Sequence, residues 1–161
     1  MHSLSKRFQK GFTIVELLIV IVVIGILAAL VITTYNGIQQ KGRNTERTTD
    51  IKAVQGQLEA YYAQNGRYPT EANLGATSAT NVTFIQANMK GLDKEALRDP
   101  KGTAGDFSLG NSATGVANKY QYKATDDAAA ACDNSTNDCT KYTITAEPEP
   151  SGTDIQLTSL N

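Results

Sequence analysis

The 161 residues suffice for one small globular domain and a further segment, with 15 lysines and arginines against 16 acids. That balance excludes a generally basic, nucleic-acid-binding surface, a local patch aside. It also hides an asymmetry. Lys6, Arg7 and Lys10 occupy the first eleven residues with no acid, so the chain from Phe12 onward holds 12 basic and 16 acidic residues, about −4.

The sequence Lys10-Gly11-Phe12-Thr13-Ile14-Val15-Glu16 runs directly into the uncharged aliphatic stretch Leu17 to Ile32. As a helix rising about 1.5 Å per residue, this stretch is long enough to cross the roughly 30 Å hydrocarbon layer of a bilayer. The basic leader stays on the cytoplasmic side, which sends the rest of the chain outward. Glu16 is the anomaly, because an ionised carboxylate costs about 2.5–3.5 kcal/mol at the centre of a membrane helix and less near the interface. Cleavage after Gly11 would create a cation, the Phe12 α-amino group, about one turn away. A neighbouring helix staggered by a few residues could offer the same amine, which would make the pair a register device for assembly. An ordinary signal anchor on a monomeric binding module is one alternative. A secretory signal peptide cut near Ala28-Ala29 is another, but the apolar run is long for it and the helical pattern continues beyond.

Residues Lys10 to Leu18, with the run to Ile32, resemble the class III signal of type IV prepilins and of the pseudopilins of type II secretion. The resemblance implies cleavage between Gly11 and Phe12 by a prepilin peptidase, N-methylation of Phe12, and assembly through Glu16, with Thr13 following the new N-terminus. It further implies an assembly ATPase, an inner-membrane platform protein, and a single-pass subunit of the cytoplasmic membrane that later joins a helical homopolymer on the cell surface. Such filaments serve adhesion, twitching motility, DNA uptake or protein secretion. Gly25 falls at a glycine common in the family's helix. Thr33 stands where many members have a helix-breaking proline, so the weak helix points left are Gly25, Thr33-Thr34 and Asn36-Gly37.

Five segments follow from the pattern: a leader 1–11, an apolar helix 12–34, its amphipathic continuation 35–65, a connecting region 66–118 and a sheet region 119–161. In the continuation, Ile51, Val54, Leu58, Tyr61 and Tyr62 recur at helical spacing, while Arg47, Asp50, Lys52, Gln55, Gln57 and Glu59 fill the remaining, wet positions. Asn65-Gly66 stops the helix, and Tyr68-Pro69 discourages its resumption. Unbroken from Phe12 to Gln64, it would be roughly 80 Å long. The stretch Leu58 to Pro69 is similar to the end of the long helix in type IV pilins and major pseudopilins.

The connecting region is rich in Gly, Ala, Thr, Asn and Ser, with a short helix expected around Leu92 to Leu97 and stopped at Asp99-Pro100. Period-two alternation marks strands at Lys119 to Ala124, Lys141 to Glu147 and Asp154 to Thr158. The fold class is therefore α+β: a long N-terminal α-helix, half transmembrane and half amphipathic, packed on a small antiparallel sheet. Pro148 and Pro150 mark a turn or an edge.

Cys132 and Cys139 enclose six residues in the loop after the first strand. Outside the cytoplasm a disulfide persists, and one closing so short a loop stabilises by somewhat under about 3 kcal/mol; two free thiols are the alternative. A zinc site is disfavoured, since no histidine is near. Asp126, Asp127, Asp133 and Asp138 lie in the same connection and are weak calcium candidates, as a loop holds calcium in major pseudopilins, although their spacing matches no Ca loop motif. No cofactor and no catalysis are expected. The sole histidine, His2, sits in the leader, no Gly-rich phosphate cradle follows a strand, and the adjacent Asp126 and Asp127 would face opposite ways on a strand.

Overall fold

The computed structural model describes residues 11–161 apart from Ala76, so His2, Lys6, Arg7 and Lys10 lie outside the described residues. The chain divides into two compact units, Met1–Gln39 and Gln40–Asn161. Helix α1, Ile14–Asn65, contributes to both.

In the first unit, no large apolar side chain between Phe12 and Ile38 is buried; Phe12 is 83% exposed and even Val23 49%. A helix is what such a run must form in lipid, where every backbone N–H and C=O has to be bonded within the segment. The weak points do not interrupt it, as α1 passes through Gly25, Thr33, Thr34, Asn36 and Gly37. Thr33 and Thr34 both donate their hydroxyls to the Leu30 carbonyl, at 3.0 and 3.1 Å, which leaves neither hydroxyl unbonded among apolar neighbours.

The second unit is built on the other half of α1. Arg47, Ile51, Val54 and Leu58 are its buried residues, at spacings of four, three and four, and Tyr61 and Tyr62 are half-buried. The helix ends where expected: Gly66 takes φ +71° and its N–H donates to the Tyr62 carbonyl at 2.7 Å, a left-handed cap that favours glycine. Three strands, β1 Gln121–Thr125, β2 Lys141–Ala146 and β3 Ile155–Thr158, form an antiparallel sheet in the order β1-β2-β3. In register, Tyr122 opposes Ile144 and Ile144 opposes Leu157, so the anticipated apolar positions share one face. Tyr120, Tyr122, Tyr142, Ile144 and Ala146 are buried with Ile51, Val54 and Leu58 in one core, while Ile155 and Leu157 pack at its edge.

Polar tips fasten this core. The Tyr68 and Tyr142 hydroxyls each donate to the Glu59 carboxylate at 2.8 Å, and Tyr120 donates to Asp50 at 2.8 Å. Tyr68 stacks on Tyr62 and meets Tyr142 edge-on, both with ring centres 4.6 Å apart. Burial of Tyr120 and Tyr142, and then bonding to carboxylates, pushes both phenols far above their ordinary range.

Two expectations need correction. The connecting region holds two α-helices, α2 Glu71–Gly75 and α3 Ser78–Asn88, besides the expected turn, which is a 3-10 helix at Lys94–Leu97 capped by Asp93. The composition of α3 disfavours helix, being rich in Thr, Asn and β-branched residues. It forms because Thr77 accepts the Thr80 N–H at 3.2 Å and because Asn81 and Ile85, one turn apart, are both buried. Asn81 donates its amide to the Phe107 carbonyl at 2.8 Å and also to that of Leu74. The second correction is Arg47, assigned above to the wet face and in fact 1% exposed.

Candidate assembly site

The first turn of α1 is closed on itself. The Thr13 backbone N–H and hydroxyl both donate to Glu16 Oε2, at 2.8 and 2.7 Å, and the Glu16 N–H donates back to Thr13 Oγ1 at 3.2 Å. This is a capping box, in which the residue before the helix and the third residue within it satisfy each other's donors. Its signature, Thr13-x-x-Glu16, was legible in the sequence beside the pairing assigned to Glu16. Gly11 and Phe12 precede the helix and are exposed, so the peptide bond between them is accessible. An exposed apolar rod thus begins with a carboxylate that is already hydrogen-bonded, followed by more than twenty residues without another charge.

Residues 6–32 match the family model described as the prokaryotic N-terminal methylation motif. The type II secretion system core protein G of Vibrio cholerae serotype O1 is 34% identical over 121 residues, spanning 66% of this chain and 83% of that protein. The chain belongs to the type IV pilin and pseudopilin family. Fimbrial protein EcpC of Eikenella corrodens is 30% identical over 119 residues, 73% of this chain and 72% of that one. Core protein G of Dickeya chrysanthemi reaches 43% identity over 72 residues, but the chain spans only about half of its length, 47%. Relatives named for secretion and for a fimbria thus both match this chain.

Beyond the helix, the loop that joins β1 to β2 takes a defined form. Cys132 and Cys139 form a disulfide with Cα atoms 5.2 Å apart, as expected. Inside the loop, Asp133 Oδ1 accepts the N–H groups of Ser135, Thr136 and Asn137, at 2.8, 2.7 and 3.3 Å, which holds its carboxyl below the ordinary range. Asn134, at φ +60°, clips the loop to the exit of α1: its amide donates to the Tyr68 carbonyl at 2.8 Å and its oxygen accepts the Cys139 N–H at 2.7 Å. The Tyr68 N–H completes the clip on the Cys139 carbonyl at 2.7 Å.

The other acids are bonded as well. Asp126 Oδ1 accepts from the N–H groups of Ala128 and Ala130, Asp127 accepts the Thr140 hydroxyl, and Asp138 pairs with Arg67 at 3.2 Å.

A second fastening had no local signal in the sequence. Glu149, in the β2–β3 loop, accepts Arg43 Nε at 3.0 Å and Arg47 Nη2 at 2.6 Å on Oε1, and Arg43 Nη2 at 2.6 Å and Lys101 Nζ at 2.9 Å on Oε2. Asn44 bonds the Glu149 backbone in both directions, at 2.6 and 2.9 Å. Bonding by Arg43 above all, then by Arg47 and Lys101, holds the Glu149 carboxyl far below its usual range. Arg43 and Arg47 lie 106 and 102 residues away and Lys101 about half that, beyond any spacing rule.

Proposed function

We propose that this chain is a structural subunit of a type IV pilus-like filament, anchored in the cytoplasmic membrane by residues 12–34 and then polymerised through the same helix. Prepilin peptidase cleaves between Gly11 and Phe12, Phe12 is N-methylated, and an assembly ATPase with a platform protein extracts the subunit from the bilayer. The observation carrying this reading is the apolar helix that none of the described residues covers, headed by Glu16. Exposed to water, each such side chain would forfeit about 1.5–3 kcal/mol, so the helix must pass from lipid to neighbouring helices without an aqueous stage. During that passage the Phe12 amine of one subunit replaces Thr13 as the partner of Glu16 on the next. The role is structural and involves no catalysis by this chain.

Mass spectrometry of the native protein tests the proposal. A chain beginning at singly methylated Phe12 and recovered in sheared filaments is the expected result. Retained Met1 on a solitary membrane protein would overturn it.

The second reading is a periplasmic pseudopilin, favoured by the several relatives that are core proteins of type II secretion. Deleting the chain would then abolish release of secreted enzymes and leave surface filaments in place. Loss of adhesion, twitching motility or DNA uptake would favour the pilus.

A further inference from the structure

Calcium takes six to eight oxygens at about 2.3–2.6 Å, chiefly carboxylates and carbonyls with lone pairs to give. The two loops that flank β2 carry clustered acids, residues 126–138 and residues 147–154. In the first, Asp126, Asp127, Asp133 and Asp138 already accept from N–H groups, a hydroxyl or Arg67. In the second, both oxygens of Glu149 are taken by charged donors and Asp154 Oδ2 accepts the Gly115 N–H at 2.7 Å, which leaves Glu147 and one Asp154 oxygen, short of a calcium shell. Among the described residues, no three acidic, histidine or cysteine side chains converge as a metal-binding group.

Charge points the same way. Around Glu149 stand Arg43, Arg47 and Lys101, with Asp99 the other acid paired to Arg47 at 2.6 Å. Three cations crowd the Glu149 carboxylate itself, and a divalent ion brought to its oxygens is repelled by them. The donor set therefore does not fit the calcium that the resemblance to major pseudopilins implies.

We infer that this unit closes both loops with its own groups and takes no structural calcium: Arg43, Arg47 and Lys101 on Glu149 do for the β2–β3 loop what a bound ion would do. The inference is independent of the filament reading, since it concerns the globular unit and not the helix that assembles.

The test is thermal unfolding of the full-length chain in detergent micelles, in millimolar calcium and in EGTA, with calorimetric titration of calcium alongside. Equal melting temperatures, within about 1 °C, and no saturable heat are expected. Glu149→Gln should lower the melting temperature by about 5 °C or more in both media alike. If that variant fails to fold, Lys101→Ala, which leaves the buried Arg47 paired, supplies a milder drop that is again the same in both. A rise of several degrees with calcium in the wild-type chain, or one-site saturable binding, would overturn the inference.

Discussion

Arg47 and Asp99 meet edge to edge, with Nε 2.6 Å from Oδ2 and Nη2 3.0 Å from Oδ1, and both side chains are almost wholly removed from solvent. Asn44 and Glu149 take further N–H groups of the same guanidinium at 2.8 and 2.6 Å. A pair so desolvated gains little over an apolar pair of the same shape, but breaking it strands a buried charge.

Arg47→Ala should therefore destabilise the globular unit by about 3–5 kcal/mol, read as a fall in the denaturation midpoint at constant slope. Arg47→Met combined with Asp99→Leu should cost less than either single change, because no charge is left orphaned at Asp99. Additive losses in that double-mutant cycle would sink the argument.

At the helix start, Glu16→Ala removes the one carboxylate of the apolar run. Membrane insertion should survive or improve, while filament yield falls when no wild-type subunit is present. Thr13→Ala should cost about 1 kcal/mol of helix-start stability, and Thr13→Ser should restore it through the same hydroxyl. Normal filaments from Glu16→Ala cells, counted by shearing and electron microscopy, would contradict the pairing proposed here.

The dependence on pH has a definite shape. Burial, aided by repulsion from Glu46 and Asp99 and opposed by the Tyr120 hydroxyl, raises the Asp50 carboxyl from 3.8 to about 6. A raised acid binds its proton more tightly in the folded state. Its stabilising contribution is thus full below its unfolded value and disappears as pH climbs through about 6, an effect near 1–2 kcal/mol after allowance for partial exposure. Glu149 and Asp106 act in reverse. Hydrogen bonds from Arg43 and from Ser108 respectively depress them, Asp106 to about 2, and their contribution is lost as pH falls below the ordinary carboxylate range. Melting temperature should peak near pH 5, and Asp50→Asn should flatten the decline on the alkaline side only.

Replacing Cys132 and Cys139 with serine should cost about 2–3 kcal/mol in the chain-entropy account. Hydrogen exchange should rise first at the amides of Tyr68 and Cys139, which the loop protects. Asn134→Ala should expose the same two amides with the disulfide intact, whereas unchanged protection there would separate the loop from the helix exit.

Much of this architecture was legible because its signals are periodic or local. Arg47 shows where a local rule misled: it stands four residues before Ile51, in the same helical row as Val54 and Leu58, yet its charge assigned it to water. Its partners, Asp99 and Glu149, lie in loops that no periodicity connects to the helix. Helix α3 escaped for a different reason, since Thr77 and the buried Asn81 outweigh a composition that favours coil. The Thr13-Glu16 box could have been found from its four-residue signature alone. The three strands, the Gly66 stop and the apolar rod announced themselves through spacing of two, a turn residue and sheer length.

The loop between the cysteines separates what is held from what is shown. Ser135 lends Asp133 only its amide hydrogen, whereas Thr136 also bonds through its side chain, and both residues are exposed. Any residue except proline can replace Ser135 and keep the bond its amide makes to Asp133. The tip of the loop can therefore change what it presents at Ser135 while its attachment stays constant.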